Sequence, residues 1–200
     1  LLYSRFFMRA INFKNEKFSI KEPFESLFTQ GMVCHETYKD ENENWLSPSE
    51  VETNDGKSYF IKDQPTKKVK VGPAESMSKS KKNTIDPESM IENFGADAVR
   101  LFILSDSPPE KDVQWSEQGM VASHKFVQKL WLLNCKIKEK ISKCSDKKDQ
   151  EGDLEIEKFT NQLIFKMNNN LERFNYNVII ANMHETYNFL TKILDKEFNQ

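Results

Sequence analysis

Three lysines and three serines fall within seven consecutive positions, Ser76-Met77-Ser78-Lys79-Ser80-Lys81-Lys82. Ammonium and hydroxyl donors at this density are the groups that hold phosphate oxygens. The stretch around them is strongly basic. From Ile61 to Lys82, Lys62, Lys67, Lys68, Lys70, Lys79, Lys81 and Lys82 face only Asp63 and Glu75, a net +5. A charge run is commonly no more than a solvated face. Interleaved serines and a helix start immediately downstream move the weight toward phosphate, because helix N-termini favour anions. The other reactive side chains carry less. His35, His124 and His184 are far apart, and no cysteine pairing has zinc spacing. Cys34 and His35 are adjacent and make no site by themselves. Asp97 and Arg100 stand three apart, the spacing of a helix-surface ion pair worth about 0.2–0.5 kcal/mol.

The elements that must carry this loop can be read on both sides of it. Leu1 to Ala10 has the wide apolar coverage of a helix buried on most sides. Pro23 to Gly31 reads as a turn or helical stub, and Gly31 to Cys34 as a short buried strand. Lys39 to Glu52 is acidic: Lys39 is opposed by Asp40, Glu41, Glu43, Glu50 and Glu52. Trp45-Leu46, Ser47-Pro48, Asn54-Asp55-Gly56 and Tyr59-Phe60-Ile61 suggest a small β-hairpin insertion over about 39–66. With Gly72-Pro73, three serines and no long apolar run, Ile61 to Lys82 reads as loop. Asp86-Pro87-Glu88 then starts a helix: Asp caps, Pro suits the first helical position, and Glu complements the dipole. Gly95 ends it. Asp97 can start the next helix, which Ser107-Pro108-Pro109 stops.

The remainder patterns as helix. Ser116 can cap one with Met120, Phe126 or Val127, Leu130, Trp131, Ile137, Ile141 and Cys144 along one side, Trp131 being read as core. A polar linker spans Ser145 to Gly152. Another helix carries Ile156, Phe159, Leu163, Met167, Leu171 and Phe174, and the last carries Tyr176, Ile180, Met183, Tyr187, Leu190 and Leu194. These stripes are core rather than a cofactor box. Short polar connections between them point to an antiparallel bundle.

Composition limits the function classes. Two hundred residues make one ordinary domain or two small ones. Fifteen Phe and three Trp argue against disorder. A net charge of −2 leaves any nucleic-acid surface to local patches. No apolar stretch approaches the roughly 20 residues that span a bilayer, which argues against a membrane. Three widely spaced cysteines suggest a reducing compartment rather than a disulfide framework. The chain opens on Leu1 inside an amphipathic pattern, without a signal peptide, and is expected to be an internal fragment.

Glu75-Ser76-Met77-Ser78-Lys79-Ser80-Lys81-Lys82-Asn83 resembles the Lys-Met-Ser-Lys-Ser signature loop of class I aminoacyl-tRNA synthetases. Asn83-Thr84-Ile85-Asp86-Pro87 and Phe94-Gly95-Ala96-Asp97-Ala98-Val99-Arg100-Leu101-Phe102 look like that family's passage from catalytic to helical domain. Ser107-Pro108-Pro109-Glu110-Lys111-Asp112-Val113-Gln114-Trp115-Ser116 is similar to the leucyl-tRNA synthetases in particular. So are Leu1-Leu2-Tyr3-Ser4-Arg5-Phe6-Phe7, Thr29-Gln30-Gly31-Met32-Val33, Leu171-Glu172-Arg173-Phe174 and Asn177-Val178-Ile179-Ile180-Ala181. The likeness is weakest at 41–66 and 142–158.

The resemblance implies an α/β plus all-α fold. Residues 1–95 would be the C-terminal part of a Rossmann-like nucleotide-binding catalytic domain, with the signature loop at 76–80. Residues 96–200 would be a helical domain of the anticodon-binding type. The implied reaction is ATP-dependent activation of L-leucine to leucyl-adenylate, then transfer to leucine tRNA. Lys79 matches the second lysine of the signature, which stabilises the departing pyrophosphate. Ser76, Met77, Ser78, Lys79 and Ser80 would line the ATP site, the serines donating to phosphate or holding the loop and Met77 pinning it. ATP with Mg²⁺ is the implied cofactor, and a cytoplasmic monomer at full length the implied setting.

In this chain Ser76 stands where the signature has its first lysine, so Lys79 carries most of the charge, or Lys81 or Lys82 compensates. The family's His-Ile-Gly-His signature and editing domain are absent, so the chain is not expected to aminoacylate by itself. Candidate tRNA-phosphate contacts are Lys125, Lys129, Lys136, Lys138 and Lys140, any of which could equally be solvated. Two other readings stay open: a class I synthetase for methionine, isoleucine or valine, or a non-catalytic RNA-binding helical module.

Overall fold

The computed structural model describes residues 1–15, 20, 22–54, 56, 58–143 and 150–197. The chain divides into two units, Leu1–Gln30 and Gly31–Gln200.

In the first unit α1 spans Leu2–Asn12. Glu22 organises it. Its carboxylate takes two bonds from Arg5, at 2.7 and 3.0 Å, and one of 2.9 Å from Arg9. Those donors, Arg5 first, hold the Glu22 carboxyl down at about 2. The Asn12 amide donates to the Met8 and Ile20 carbonyls at 2.8 and 2.7 Å. The expected burial of this helix is not found: no α1 residue is buried, and Leu2, Tyr3 and Phe6 are 79%, 85% and 73% exposed. A unit this short has too little surface of its own to enclose a helix on most sides. No helical stub forms between Pro23 and Gly31.

The second unit begins with β1, Val33–Lys39. It pairs antiparallel with β2, Trp45–Leu46, and with β6, Lys70–Ser76, and parallel with β7, Val113–Gln114. A second, antiparallel sheet runs β3 (Val51–Thr53), β4 (Tyr59–Ile61) and β5 (Gln64–Lys68). Residues 61–82, expected as loop, therefore hold two strands. β5 is exposed along its whole length and carries Pro65 and two lysines, the residues that sheet edges tolerate and use. The predicted hairpin forms, but Tyr59–Ile61 pairs with Val51–Thr53 rather than with Trp45–Leu46. Asp55 of its expected turn lies outside the described residues. Tyr38, Leu46 and Val69 bury against Val51, Tyr59 and Ile61. Burial, and then Glu36, to which its hydroxyl donates at 3.2 Å, push the Tyr38 phenol well above its usual range.

The helices follow the capping signals. α2 spans Pro87–Phe94, with the Asp86 side chain accepting from the Glu88 and Ser89 amides. Gly95, at φ +83°, closes it and leads into α3, Ala96–Asp106, with Asp97 in the first turn. α4 spans Glu117–Lys143, and Ser116 Oγ accepts from the Gly119 amide at 3.1 Å. α5 spans Gln150–Glu172 and α6 Tyr176–Glu197. Of the expected linker, 145–149 lies outside the described residues, as does Cys144, and α5 already includes Gln150 to Gly152.

A second core joins Phe102, Val113 and fully buried Met120, with Phe94, Val99, Ile103 and Trp115 against it. Phe126 stacks on His184 at 3.6 Å between α4 and α6, and Phe159 on Phe189 at 3.8 Å between α5 and α6. The stripes therefore pack at these positions. Several members do not: Trp131, expected in the core, is 67% exposed and Ile141 69%, and Ile156, Leu171 and Phe174 of α5 and the turn after it are exposed as well. α4 has 27 residues, and its packed residues Met120, Ser123, Phe126 and Leu133 end short of its last turns. Among the described residues the elements are a mixed sheet, a small antiparallel sheet and six α-helices. Among the described residues no helix is long and apolar enough to cross a membrane.

Candidate functional site

Strand β6 delivers the basic loop. Ser76 is its last residue, exposed and in register with Cys34 of β1. The chain then leaves the sheet, but the Met77 amide still donates to the Val33 carbonyl at 3.1 Å, so half-buried Met77 stays against β1. The turn that follows closes on itself. The Lys81 amide donates to Ser78 Oγ at 3.4 Å, Ser78 and Ser80 hydroxyls lie 3.3 Å apart, and the Lys82 amide donates to the Lys79 carbonyl at 3.3 Å. Lys82 sits at φ +53°, a left-handed conformation that costs most residues energy.

Asn83 ties the turn to the sheet. Its side chain is fully buried. Oδ1 accepts from the Ser78 amide at 2.9 Å, and Nδ2 donates to the carbonyls of His35 at 3.2 Å and Glu75 at 3.1 Å. An amide is the side chain that offers an acceptor and two donors at one place.

The three lysines stand in different electrostatic settings. Lys81 is paired with Glu75 of β6. Lys82 lies 4.0 Å from Glu50. Glu50 itself accepts from the Ser47 amide and hydroxyl at 2.7 and 2.8 Å, and these bonds, the amide first, hold its carboxyl below the usual range. Lys79 is exposed, and no described carboxylate pairs with it. Of the predicted residues, Ser78, Ser80 and Lys79 share the turn, whereas Ser76 belongs to the strand. Glu75, Glu50 and Asn83 were not among them. Glu75 and Asn83 lie in the quoted motif, but nothing in spacing alone assigns them partners.

The start of β1 is fastened to the segment between α3 and α4. The Gly31 amide donates to the Pro109 carbonyl at 2.8 Å, the Met32 amide to Asp112 Oδ1 at 2.8 Å, the Val113 amide to the Met32 carbonyl at 2.9 Å and the Trp115 amide to the Cys34 carbonyl at 2.8 Å. The Pro-Pro-Glu-Lys-Asp stretch thus holds the strand that holds the loop.

Elsewhere the reactive side chains have local surroundings. His35 Nδ1 lies 2.8 Å from the Glu36 carbonyl and His124 Nδ1 2.8 Å from that of Phe94. Among the described residues no group of His, Cys, Asp or Glu could hold a metal ion. Asp97 and Arg100 are 4.0 Å apart and well exposed. Cys34 is buried and Cys135 exposed, both as free thiols. Of the candidate phosphate contacts, Lys129, Lys136 and Lys140 line a groove of about 720 Å³ between α4 and α6, with Leu132, Leu133 and Leu194. Lys125 and Lys138 do not line it.

Residues 66–116 match the family model of tRNA synthetases class I (I, L, M and V). The chain is 42% identical over 201 residues to the leucine–tRNA ligase of Bartonella henselae, covering 98% of this chain and 22% of that protein. It is 44% identical over 193 residues to the leucine–tRNA ligase of Wolbachia pipientis wMel, covering 96% of this chain and 22% of that one. Among solved structures, the ternary complex of Agrobacterium radiobacter K84 agnB2 LeuRS with tRNA and LeuAMS superposes with a TM-score of 0.67 at 24% identity. That match covers 98% of this chain and 21% of the solved one. The chain thus spans about a fifth of the length of the proteins it matches.

Proposed function

We propose, on the premise that this chain is a homologue of the leucine–tRNA ligases over nearly all of its length, that it works as part of such an enzyme. The substrates are then L-leucine, ATP and leucine tRNA. A leucine carboxylate oxygen attacks the α-phosphorus of ATP, the bond to the bridging oxygen breaks, and pyrophosphate leaves. A hydroxyl of the terminal ribose of the tRNA then attacks the carbonyl carbon and AMP departs.

The observation that carries this reading is the charge state of the 76–82 loop. Its lysines Lys81 and Lys82 face carboxylates, and Lys79 alone stands exposed without one among the described residues. An ammonium free of a local counterion is the group that can answer negative charge growing on pyrophosphate. It acts in the transition state more than in the ground state. Ser78 and Ser80 shape the turn and offer hydroxyls beside it. Met77 pins the loop to β1. Mg²⁺ would arrive as its ATP complex, held by the phosphates, since the loop itself offers ammonium and hydroxyl groups rather than carboxylates. What the bound ion supplies is charge neutralisation on the phosphates.

In the same reading, residues 1–95 belong to a Rossmann-like catalytic domain with an insertion over about 39–66. Residues 96–200 form the antiparallel helical domain, whose Lys129, Lys136 and Lys140 face tRNA. The setting is cytoplasmic, and the full-length enzyme is a monomer.

The test is pyrophosphate exchange by a polypeptide of the relatives' full length that contains this chain. Lys79→Ala should lower the exchange rate about 10²–10³-fold with little change in KM for leucine. An unchanged rate removes Lys79 from the chemistry. A parent protein with no leucine-dependent exchange removes the function itself.

A further inference from the structure

We propose that Asn83 is a positioning residue of the nucleotide-binding loop: its buried carboxamide fixes the turn that carries Lys79. This rests on the function proposed above.

The case starts from burial. Asn83 is fully inaccessible, one of two such large side chains among the described residues together with Met120. A buried polar group is as a rule hydrogen-bonded, because losing water without a partner costs free energy. All three of the Asn83 bonds go to backbone, and they tie three places together. Ser78 belongs to the turn, Glu75 to the strand before it, and His35 to the neighbouring strand β1. Lys79 follows directly on the Ser78 amide that Asn83 holds. The turn has little else to fix it. Its own contacts are the long Ser78–Lys81, Ser78–Ser80 and Lys82–Lys79 bonds at 3.4, 3.3 and 3.3 Å, and Lys82 is strained at φ +53°. The Lys81–Glu75 pair lies at a half-exposed surface, where ion pairs hold side chains weakly.

Asn83 cannot touch a phosphate from inside the sheet, so it acts through Lys79. That separates it from a catalytic role and from general packing. If the turn drifts by about 1 Å, catalysis falls by about 10²-fold, while sites elsewhere keep their affinity.

Two replacements test this. Asn83→Ala removes all three bonds. Asn83→Asp keeps the volume and the acceptor for Ser78, but turns a carboxylate oxygen toward two carbonyls, so it should be no better. In the full-length polypeptide both should lower the exchange rate about 10²-fold with KM for leucine within about twofold. In a Lys79→Ala background, Asn83→Ala should add almost nothing, because the group it positions is gone. A packing role would multiply the two losses. In the 200-residue chain, trypsin should cut after Lys79, Lys81 or Lys82 at least about tenfold faster in either variant than in the parent.

Full exchange activity in Asn83→Ala overturns the proposal, as do multiplicative losses with Lys79→Ala. Failure of both variants to fold also overturns it, because Asn83 would then hold the domain rather than the loop. If the parent shows no leucine-dependent exchange, the proposed function fails. Trypsin protection then decides on its own whether Asn83 holds the turn.

Discussion

Replacing Gly31 with alanine should unfasten the seam on which β1 rests. A Cβ at this position would lie 2.1 Å from the Lys111 carbonyl oxygen, 2.2 Å from its carbon and 2.6 Å from the Asp112 nitrogen. All three are backbone atoms, so no side chain can turn away. Ordinary contact begins at 3.4 Å, so the segments must separate by about 1.3 Å. The two nearest bonds, Gly31 to Pro109 and Met32 to Asp112, are both 2.8 Å and cannot survive that shift. A neutral backbone bond contributes at least about 0.5 kcal/mol and one to a carboxylate about 1.5. Overpacking adds about 1 kcal/mol at the low end. The minimum is therefore about 3 kcal/mol, or a fall of about 6–12 °C in melting temperature for a chain of this length. Thermal unfolding by circular dichroism measures it. Asp112→Ala, which removes one bond and leaves the backbone room, should cost less. A Gly31→Ala melting temperature within about 2 °C of the parent would refute the argument.

Lys82→Val should lower stability by about 1–2 kcal/mol, because a β-branched residue is forced to φ +53°. Lys82→Asn, which tolerates that region, should not, and equal melting of the two would sink the strain argument. Because Glu75 already neutralises Lys81, Lys81→Ala should slow pyrophosphate exchange less than Lys79→Ala does; equal losses would contradict the charge assignment. Burial, and then Lys129, hold the His184 imidazole below its usual range, so the folded chain favours the neutral ring. The stability this gives is present above the unfolded value near about pH 6.5 and is lost as pH falls through the folded value. Melting temperature should therefore drop between about pH 7.5 and pH 5.5. His184→Phe should flatten the drop; a variant with the parent's pH dependence would exclude His184 as its source.

Local chemistry was legible in the sequence, and partnership was not. Asp86-Pro87, Gly95, Ser107-Pro108-Pro109 and Ser116 mark helix ends because caps act within a few residues. The helical stripes at Phe126, Phe159 and Ile180 were legible for the same reason. β5 and β6 carry no local strand pattern, because what makes Lys70–Ser76 a strand is a register with β1, where Cys34 meets Ser76 far along the chain. Glycine, proline and lysine hide that register from any local pattern. Apolar periodicity in α1 and at Trp131 showed what could be buried. It did not show what arrives to bury it, and among the described residues of their units nothing does.

The same division runs through the candidate site. Residue types at 76–82 suit a phosphate ligand, but the lysines look alike in sequence and only their counterions separate them. Glu75 lies six positions before Lys81, and Glu50 reaches Lys82 from the insertion. With two charges answered locally, compensation for Ser76 by Lys81 or Lys82 means loosening a half-exposed ion pair, a modest cost that Lys79 does not meet. Either lysine would have to leave its carboxylate, and Glu50 already holds two bonds from Ser47 that keep it ionised. Lys79 needs no such exchange. Ser76 is placed to matter differently: as the last residue of β6, in register with β1, it fixes where the strand stops and the turn begins. In the full-length polypeptide Ser76→Lys should therefore strengthen ATP binding by adding a charge at the strand's end, where the neighbouring Glu75 carboxylate is already taken by Lys81, and leave the fold unchanged. Steady-state exchange reads the first effect as a lower KM for ATP, and thermal unfolding the second. A Ser76→Lys enzyme with unaltered KM for ATP would mean that the strand's end lies beyond reach of the nucleotide. The charge of the loop would then rest on Lys79 alone.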